Sequence, residues 1–595
     1  MKYKKQIQLI AAIVTLIVFP VITFYLMEAY THNPFEEVRP WAQFFNILLF
    51  ELLAWIFVSV TGKIQSGLRI ELVIAMSYGI ANAYVVRFRT NPIVPWDIFS
   101  WKTAASVASN YDFKPDTRMA VVTLVFLGMI VLLQFVKTGI PKFQLWKRLI
   151  PAGVCCIVLV LFVNLLQDED FQTGHRLYPF LFTPAFMTQV NGMAVTFAMD
   201  LAYVTVEKPS GYDAAKEQAV LESYTEQEDD ADSSDKKEKL PNIIVVMNES
   251  FSDLKVLGDF TTNEDYMPYL HSLQNGAENT VTGYLNVSVC GGNTANTEFE
   301  FLTGNSMAFL PQGSIPYQQY ITKELPALPA YLASLGYETV ATHPYYADGW
   351  DRDKVYPLLG FSESIFKDQY WGAGYVRKYV SDNSCVDKII ELYEKKEEGT
   401  PLFVFNVTMQ NHGGYSDTYD NFTPDITVEG VESTPLSQYL SLVRLSDQAL
   451  EKLISYFEEA DEKTIVVFFG DHQPMVEESF YKTLAGKPLT EWTLAEAQSR
   501  YIVPFFIWAN YEIDAEENVF TSANFLSELM FEKAGIKLLP YQEFLKEVRE
   551  EIPAMDGGAW RDKDGTWEVL DTSQPILEEY WRLQYRDMFD KKVHY

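Results

Sequence analysis

The first third of the chain contains five apolar runs, each close to the ~20 residues that cross a bilayer as a helix. The runs cover residues 6–28, 42–61, 69–87, 119–136 and 149–166. Buried helices of a soluble protein are the alternative, but five such runs in succession make that interpretation the weaker one. No small-x-small cleavage site follows the first run closely, so the run is not typical of a removable signal peptide. We therefore expect a five-span membrane region over residues 1–168.

The lysines and arginines of the short loops predict the orientation of this region. They cluster before the first run, between the second and third, and between the fourth and fifth: Lys2, Lys4, Lys5, Lys63, Arg69, Lys137, Lys142, Lys147 and Arg148. Such clusters stay on the cytoplasmic side, so the N-terminus is expected inside and everything after residue 166 outside. The chain is thus expected to be a multi-pass protein of the cell membrane with an extracellular C-terminal part.

Residues 169–240 are predicted to connect the membrane region to this part. Residues 170–206 are amphipathic and aromatic, which is typical of a helix along the membrane surface, and residues 207–239 resemble a flexible acidic linker. The net charge of -32 argues against a nucleic-acid partner, whose phosphates attract Lys and Arg. The four cysteines form neither a disulfide framework nor a CxxC zinc pattern.

Residues 241–595 alternate between short apolar runs and helical patterns. The runs that suit buried strands are 242–248, 338–342, 402–407, 464–469 and 503–508, and helical patterns cover 265–276, 324–335, 437–459 and 523–534. This alternation predicts an α/β domain with a largely parallel central sheet. Ligands of such sheets bind beyond the carboxyl ends of the strands, so functional side chains are expected there.

Acidic and imidazole side chains follow two of these predicted strands. Glu249 comes directly after the strand at 242–248, and Asp471 and His472 follow the strand at 464–469. Alone, Glu249 would be a surface carboxylate and the Asp-His pair a turn. Together they form an oxygen and nitrogen ligand set that suits Mn²⁺, Mg²⁺ or Zn²⁺. We predict a metal site at this rim.

Thr294 is the candidate nucleophile. It follows Gly291-Gly292-Asn293, which permits a tight turn, and it begins a predicted helix over residues 294–302. Free N–H groups at a helix N-terminus favour a phosphate, and metal coordination can activate a threonine hydroxyl. The alternatives are that Thr294 only caps the helix, or that Thr297, one turn later, is the nucleophile.

Three more side chains could form a phosphate pocket. Arg352 could bind phosphate oxygens through two N–H groups, although a salt bridge with neighbouring Asp351 or Asp353 is the alternative. His343 and His412 could protonate a leaving group or bind transition-state oxygens, whereas a structural role is the ordinary one for a lone histidine.

At these residues the chain resembles the lipoteichoic acid synthase family of the alkaline phosphatase and sulfatase superfamily, over most of its length. The motifs that carry the resemblance are Asn248-Glu249-Ser250, Gly292-Asn293-Thr294 with Glu298-Phe299, Trp350-Asp351-Arg352-Asp353, Asn411-His412 and Gly470-Asp471-His472. The resemblance implies a five-helix transmembrane region followed by an extracellular sulfatase-like catalytic domain over residues 241–595, in a Gram-positive cell envelope.

The resemblance also implies a reaction. Glu249, Thr294, Asp471 and His472 would bind one Mn²⁺. Thr294 would attack phosphatidylglycerol, release diacylglycerol and keep the glycerol phosphate until a hydroxyl of an envelope glycolipid or polymer accepts it. The residues expected to line the glycerol-phosphate pocket are His343, Trp350, Arg352 and His412.

Other activities stay open at this point. Gln473 follows the Asp-His pair where well-known synthases carry an aromatic residue, so the identity of the donor lipid stays open. A phosphoethanolamine transferase would share the spans and the threonine, and a phosphodiesterase would use water as the acceptor. An arylsulfatase would need a C/S-x-P-x-R motif, and Cys290 is followed by Gly-Gly-Asn. A non-enzymatic envelope-binding module is the remaining alternative.

Overall fold

The computed structural model describes residues 2–89, 92–98, 113–136, 145–178, 184–204, 206–226, 239–311, 314–475, 478–571 and 574–593. Two of the loop cations used above, Lys137 and Lys142, and residues 227–238 of the predicted linker lie outside these ranges. By packing, the described residues form two units, one before and one after residue 205. The predicted domain boundaries at residues 168 and 240 stay predictions.

Five long helices dominate the first unit. They are α1 (Lys2–Glu28), α2 (Pro40–Thr61), α3 (Ile64–Arg89), α4 (Thr117–Leu132) and α5 (Leu145–Leu166). Each described helix, with α4 extended by a 3-10 turn to Phe135, is long and apolar enough to cross a membrane. The apolar runs therefore did predict helices, and the chain is a multi-pass membrane protein.

Three short helices complete this unit: α6 (Glu169–Gly174), α7 (Pro184–Asn191) and α8 (Met193–Asp200). Gly192 separates α7 from α8 with a φ of 80°, and a Cβ there would meet the Asn46 amide at 2.5 Å. Side chains of α1 and α2 accept the free N–H groups of α8, since Met193 donates to Glu28 at 2.7 Å and Val195 donates to Asn46 at 3.1 Å. The start of α8 is thus bonded to the long helices.

The second unit is an α/β domain. Its helices are α9 (Ala214–Glu226), α10 (Pro268–Leu273), α11 (Thr294–Thr303), α12 (Pro316–Gln319), α13 (Leu328–Ser334), α14 (Arg352–Leu358), α15 (Asp382–Lys395), α16 (Thr434–Glu458), α17 (Glu478–Ala485), α18 (Leu494–Gln498), α19 (Ala523–Ala534), α20 (Pro540–Glu551) and α21 (Pro575–Phe589). Its strands are β1 (Asn242–Asn248), β2 (Thr280–Asn286), β3 (Glu338–His343), β4 (Glu363–Phe366), β5 (Tyr375–Val376), β6 (Tyr379–Val380), β7 (Leu402–Val407), β8 (Thr464–Gly470), β9 (Ile502–Ala509), β10 (Glu516–Ser522), β11 (Ala554–Met555), β12 (Ala559–Arg561) and β13 (Trp567–Val569).

Helix α9 corrects one expectation, because residues 214–226 were predicted as part of a flexible linker. The apolar side chains of Val220, Leu221 and Tyr224 pack against the cluster that α20 and α21 form. The Tyr224 hydroxyl also hydrogen-bonds to Glu547 on α20. Residues 214–226 have the composition of a linker, but they form a helix because one apolar face of that helix is buried.

Eight strands form the central sheet in the order β10-β2-β9-β8-β1-β7-β3-β4. Only β9 runs against its neighbours β2 and β8, and the five strands from β8 to β4 are all parallel. Both faces are covered: Ile243, Val245 and Met247 of β1 belong to one core cluster, whereas Ile244 and Val246 belong to another. The predicted, largely parallel sheet is confirmed, and it aligns the carboxyl ends of β1, β3, β7 and β8 at one edge.

Candidate metal centre and active site

Three predicted metal ligands meet at the carboxyl ends of β1 and β8. These strands pair in parallel with Asn248 opposite Gly470, so Glu249 and Asp471 leave the sheet at the same level. Ligand atoms of Glu249, Asp471 and His472 all lie within 4.8 Å of one another, and all three residues are buried. The Nε2 atom of His472 is 3.2 Å from Asp471 Oδ2 and 3.9 Å from Glu249 Oε1.

The polar atoms of this cluster fit a cation. Asp471 Oδ2 and His472 Nε2 are buried without a hydrogen-bond partner among the described residues. His472 Nδ1 lies 2.8 Å from the Gln473 carbonyl oxygen, so Nδ1 carries the proton and Nε2 presents a lone pair. Burial and the Asp471 charge raise the pKa of Glu249 well above its usual value, and burial raises the pKa of Asp471. A divalent cation would offset this cost of two adjacent buried carboxylates.

Thr294 lies at the same point, as the first residue of α11. Gly291 and Asn293 adopt left-handed backbone conformations, with φ of 75° and 64°, and turn the chain into the helix. The Thr294 side chain contacts the Asp471 carboxylate, which lowers the pKa of that carboxyl against the effect of burial. The Thr297 hydroxyl, by contrast, donates to the backbone oxygen of Asp471 at 2.7 Å. Of the two threonines, only Thr294 faces the carboxylates.

Two of the predicted pocket residues are histidines at or near the ends of β3 and β7. His343 ends β3, and its Nδ1 donates to the Val407 carbonyl at 3.0 Å. His412 follows β7, and its Nδ1 lies 3.1 Å from the Tyr379 hydroxyl. Burial lowers the pKa of both, that of His412 to about 3, with further contributions from nearby positive groups. Both imidazoles are therefore neutral before substrate binds, which suits hydrogen bonding to a phosphoryl group better than proton donation.

Arg352 is held by a carboxylate from another part of the chain. Trp350 and Asp351 adopt φ of 59° and 56° and lead Arg352 into α14. Its Nε lies 3.0 and 3.3 Å from the two oxygens of Glu298 on α11, and Nη2 also donates to Glu298. The partner is thus Glu298 instead of the adjacent Asp351 or Asp353. This buried pair fixes one edge of the guanidinium, and Nη1 donates to Gly349 at 3.3 Å.

A buried network beneath the predicted metal ligands escaped the sequence analysis. Asp382, the first residue of α15, accepts hydrogen bonds from Asn248 at 2.8 Å and from Ser446 at 2.6 Å. Asn411 donates to Asn248 at 3.1 Å and to Ser446 at 2.9 Å. Asn248 and Asn411 thus hold the strand ends together, which explains their place in the motifs. The Ser381-Asp382 start of a helix was the only sequence signal.

Gln473, the residue that departs from the family pattern, is fully buried. Its side-chain amide donates to the carbonyls of Ser499 at 2.7 Å and Ile502 at 2.8 Å. Gln473 therefore attaches the metal-ligand loop to the start of β9.

Comparison with known proteins places this site in context. The Sulfatase family profile matches residues 241–536. A candidate cyclic beta-1,2-glucan modification protein of Rhizobium meliloti is 30% identical over 528 residues, covering 85% of this chain and 79% of the relative. Lipoteichoic acid synthase 1 of Bacillus subtilis is 23% identical over 389 residues, covering 63% of this chain and 59% of the synthase.

Two solved structures share the fold. The phosphoglycerol transferase GacH of Streptococcus pyogenes, solved with sn-glycerol-1-phosphate, matches with a TM-score of 0.54 at 22% identity, covering 65% of this chain and 96% of GacH. The integral membrane lipooligosaccharide phosphoethanolamine transferase A of Neisseria meningitidis matches with a TM-score of 0.51 at 15% identity, covering 86% of this chain and 94% of the transferase.

Proposed function

Because this chain belongs to the sulfatase family, among the lipoteichoic acid synthase-like members of the alkaline phosphatase and sulfatase superfamily, we propose that it is a membrane-anchored phosphoglycerol transferase. The donor is phosphatidylglycerol, and the acceptor is a hydroxyl of an envelope glycolipid or polymer. The observation that carries the proposal is the meeting of Thr294 with Glu249, Asp471 and His472 at one sheet edge.

The metal is the first element of the proposed site. Glu249, Asp471, His472 and the Thr294 hydroxyl are the residues that would hold one ion. We propose Mn²⁺, while Mg²⁺ and Zn²⁺ suit the same donor atoms. When bound, the ion would lower the pKa of the threonine hydroxyl and neutralise charge on the phosphoryl oxygens.

The protein's own groups then carry the transfer. The Thr294 hydroxyl gives up its proton and its oxygen forms a bond to phosphorus. The bond from phosphorus to the diacylglycerol oxygen breaks, and that oxygen takes up the proton equivalent that Thr294 released. The acceptor hydroxyl attacks the same phosphorus in the second step and restores Thr294. His343, His412 and the Trp350–Arg352 turn line the head-group side, with the neutral imidazoles donating or accepting hydrogen bonds to the phosphoryl group.

One relative is named as a lipoteichoic acid synthase, which supports an envelope glycolipid or polymer as the acceptor. The glucan-modification relative favours a glucan hydroxyl as a second candidate acceptor. A phosphoethanolamine transferase and a hydrolase remain rival activities of the same superfamily. We also propose that the catalytic domain is extracellular, as the distribution of loop cations predicts.

Trapping the covalent adduct tests the proposal. Full-length protein is incubated with Mn²⁺ and labelled phosphatidylglycerol or phosphatidylethanolamine, and the peptide containing Thr294 is analysed by mass spectrometry. We expect glycerol phosphate on Thr294 and no turnover by Thr294→Ala. Thr303→Ala, in the last turn of α11, is the matched control and should keep activity. A phosphoethanolamine adduct would show that the donor is phosphatidylethanolamine instead of phosphatidylglycerol. Wild-type turnover by Thr294→Ala would show that Thr294 is not the nucleophile.

A further inference from the structure

Arg377 is a buried guanidinium beside the proposed site, and no prediction from the sequence included it. It lies in the turn between β5 and β6, is 4% exposed and has a φ of 55°. Its Nη2 donates to the carbonyls of Gln410 at 2.8 Å and His412 at 2.7 Å. Arg377 therefore holds the loop that carries His412.

Two aromatic rings enclose this side chain. The guanidinium carbon is 5.5 Å from the ring centre of Tyr379 and 5.4 Å from that of Tyr415. The Tyr379 hydroxyl contacts His412 Nδ1, and the Tyr415 hydroxyl donates to the Asn411 carbonyl at 2.7 Å. Arg377 is thus packed into the wall that presents His412 to the metal centre.

Among the residues that the structure describes, the guanidinium of Arg377 has no carboxylate within 4.0 Å, whereas Arg352 is paired with Glu298. The buried carboxylate whose charge acts on Arg377 is Glu249, one of the proposed metal ligands. Carbonyl oxygens and rings accept some of its N–H groups, yet Nε is buried without a hydrogen-bond partner in the described part of the chain. The acidic residues of the same loop, Asp417 and Asp420, are exposed, and solvent screens their charges.

A buried positive charge affects which molecules the proposed head-group site beside it binds. With a divalent ion bound, the charges of Glu249 and Asp471 are balanced, as are those of Arg352 and Glu298. Arg377 remains as the positive charge that an incoming phosphodiester can offset. A head group that carries an ammonium group would be repelled by this guanidinium, because both groups are positively charged. Such like-charge contacts strongly disfavour binding.

We propose that Arg377 is a specificity-determining residue, which makes the pocket beside His412 select phosphodiesters with an uncharged head group over those with an ammonium group. This inference rests on the proposed function, since it names the feature that separates a phosphoglycerol donor from a phosphoethanolamine donor. In this inference the charge of Arg377 selects between the donor lipids. The hydrogen bonds from Arg377 to the His412 loop contribute separately, to the position of that loop.

The ratio of turnover between two donor lipids separates these contributions. Full-length protein with Mn²⁺ is assayed on phosphatidylglycerol and phosphatidylethanolamine in vesicles of otherwise equal composition. For Arg377→Met we expect kcat/KM for phosphatidylglycerol relative to phosphatidylethanolamine to fall by about tenfold. Arg377→Lys, which keeps the charge, should retain most of the ratio. Lys395→Met removes an exposed charge on α15 and should leave the ratio unchanged.

The outcomes are distinct. A purely structural role would slow both lipids equally in Arg377→Met, and an unchanged ratio would overturn the inference. If that variant does not fold, calorimetry provides a second test. It measures the affinities of metal-loaded wild-type protein for glycerol phosphate and for phosphoethanolamine. We expect glycerol phosphate to bind about tenfold tighter, and equal affinities would overturn the inference. Failure of the wild type to use any lipid refutes the proposed function. The same binding comparison repeated with Arg377→Lys and Arg377→Met then still tests Arg377, because only the loss of its charge should remove the preference for glycerol phosphate.

Discussion

The buried pair between Arg352 and Glu298 yields the sharpest prediction of stability. Glu298 is fully buried and Arg352 is 2% exposed. The carboxylate accepts hydrogen bonds from the guanidinium and, at 2.8 Å, from the Tyr356 hydroxyl. Glu298→Gln keeps the size of the side chain but removes the negative charge, and an arginine cannot become neutral in response. Leaving a buried charge unpaired costs about 3–5 kcal/mol.

This free energy translates into a measurable change of melting temperature. An unfolding entropy of about 2.1 cal/mol/K per residue over the roughly 390 residues after residue 205 gives about 0.8 kcal/mol/K. Glu298→Gln should therefore lower Tm by about 4–6 °C. The assay is thermal unfolding of full-length protein followed by tryptophan fluorescence.

A surface ion pair is the matched control. Glu391 on α15 is paired with Lys388 and Lys395 at the exposed surface. Such pairs contribute about 0–1 kcal/mol, so Glu391→Gln should shift Tm by about 1 °C or less. If Glu298→Gln shifts Tm no more than Glu391→Gln does, the Arg352 charge must be compensated elsewhere, and the reasoning from the buried pair is refuted.

Three further predictions concern the metal centre and the membrane topology. Burial raises the pKa of Glu249 and Asp471, so the metal-free folded state keeps protons that the unfolded chain releases, and its stability should fall as pH rises above about 4.5. Mn²⁺ displaces these protons, so its stabilising shift of Tm should grow from about pH 5 to 8, and a pH-independent shift would contradict this. Asp382→Ala should weaken Mn²⁺ binding by about tenfold through loss of the network under the ligands, and unchanged affinity in a titration would exclude that role. A reporter fused after residue 210 should be labelled from outside intact cells, and labelling only after lysis would reverse the predicted orientation.

Short-range pattern predicted much of the fold. The apolar runs of β1 and β7 matched the observed strands residue for residue, and α19 began and ended at the predicted residues. The strands β1 and β7 are buried on both faces, so most of their side chains are apolar. The sequence analysis missed β2, β4 and β10. Thr280–Asn286 mixes polar and apolar residues, and Glu516–Ser522 lies at the edge of the sheet, where outward residues are polar.

The meeting of the proposed metal ligands was predictable for a different reason. Glu249 and the Asp471–His472 pair each follow a central strand directly, and parallel strands end at one edge, so their meeting follows from topology once β1 and β8 are neighbours. The order of the strands, however, depends on which faces pack together.

What the sequence alone determined is the set of local features: five membrane helices, buried central strands, and the residues that follow them. Only the tertiary structure decided the long-range partners. Glu298 and Arg352 are 54 residues apart, and Arg377 reaches His412 from a hairpin 35 residues earlier. The sequence does not show which partner a charged side chain has, or whether it has one, because both depend on which residues are buried together in the folded interior. That is why Arg352 is paired with a carboxylate, whereas Arg377 has no carboxylate in direct contact in the described part of the chain.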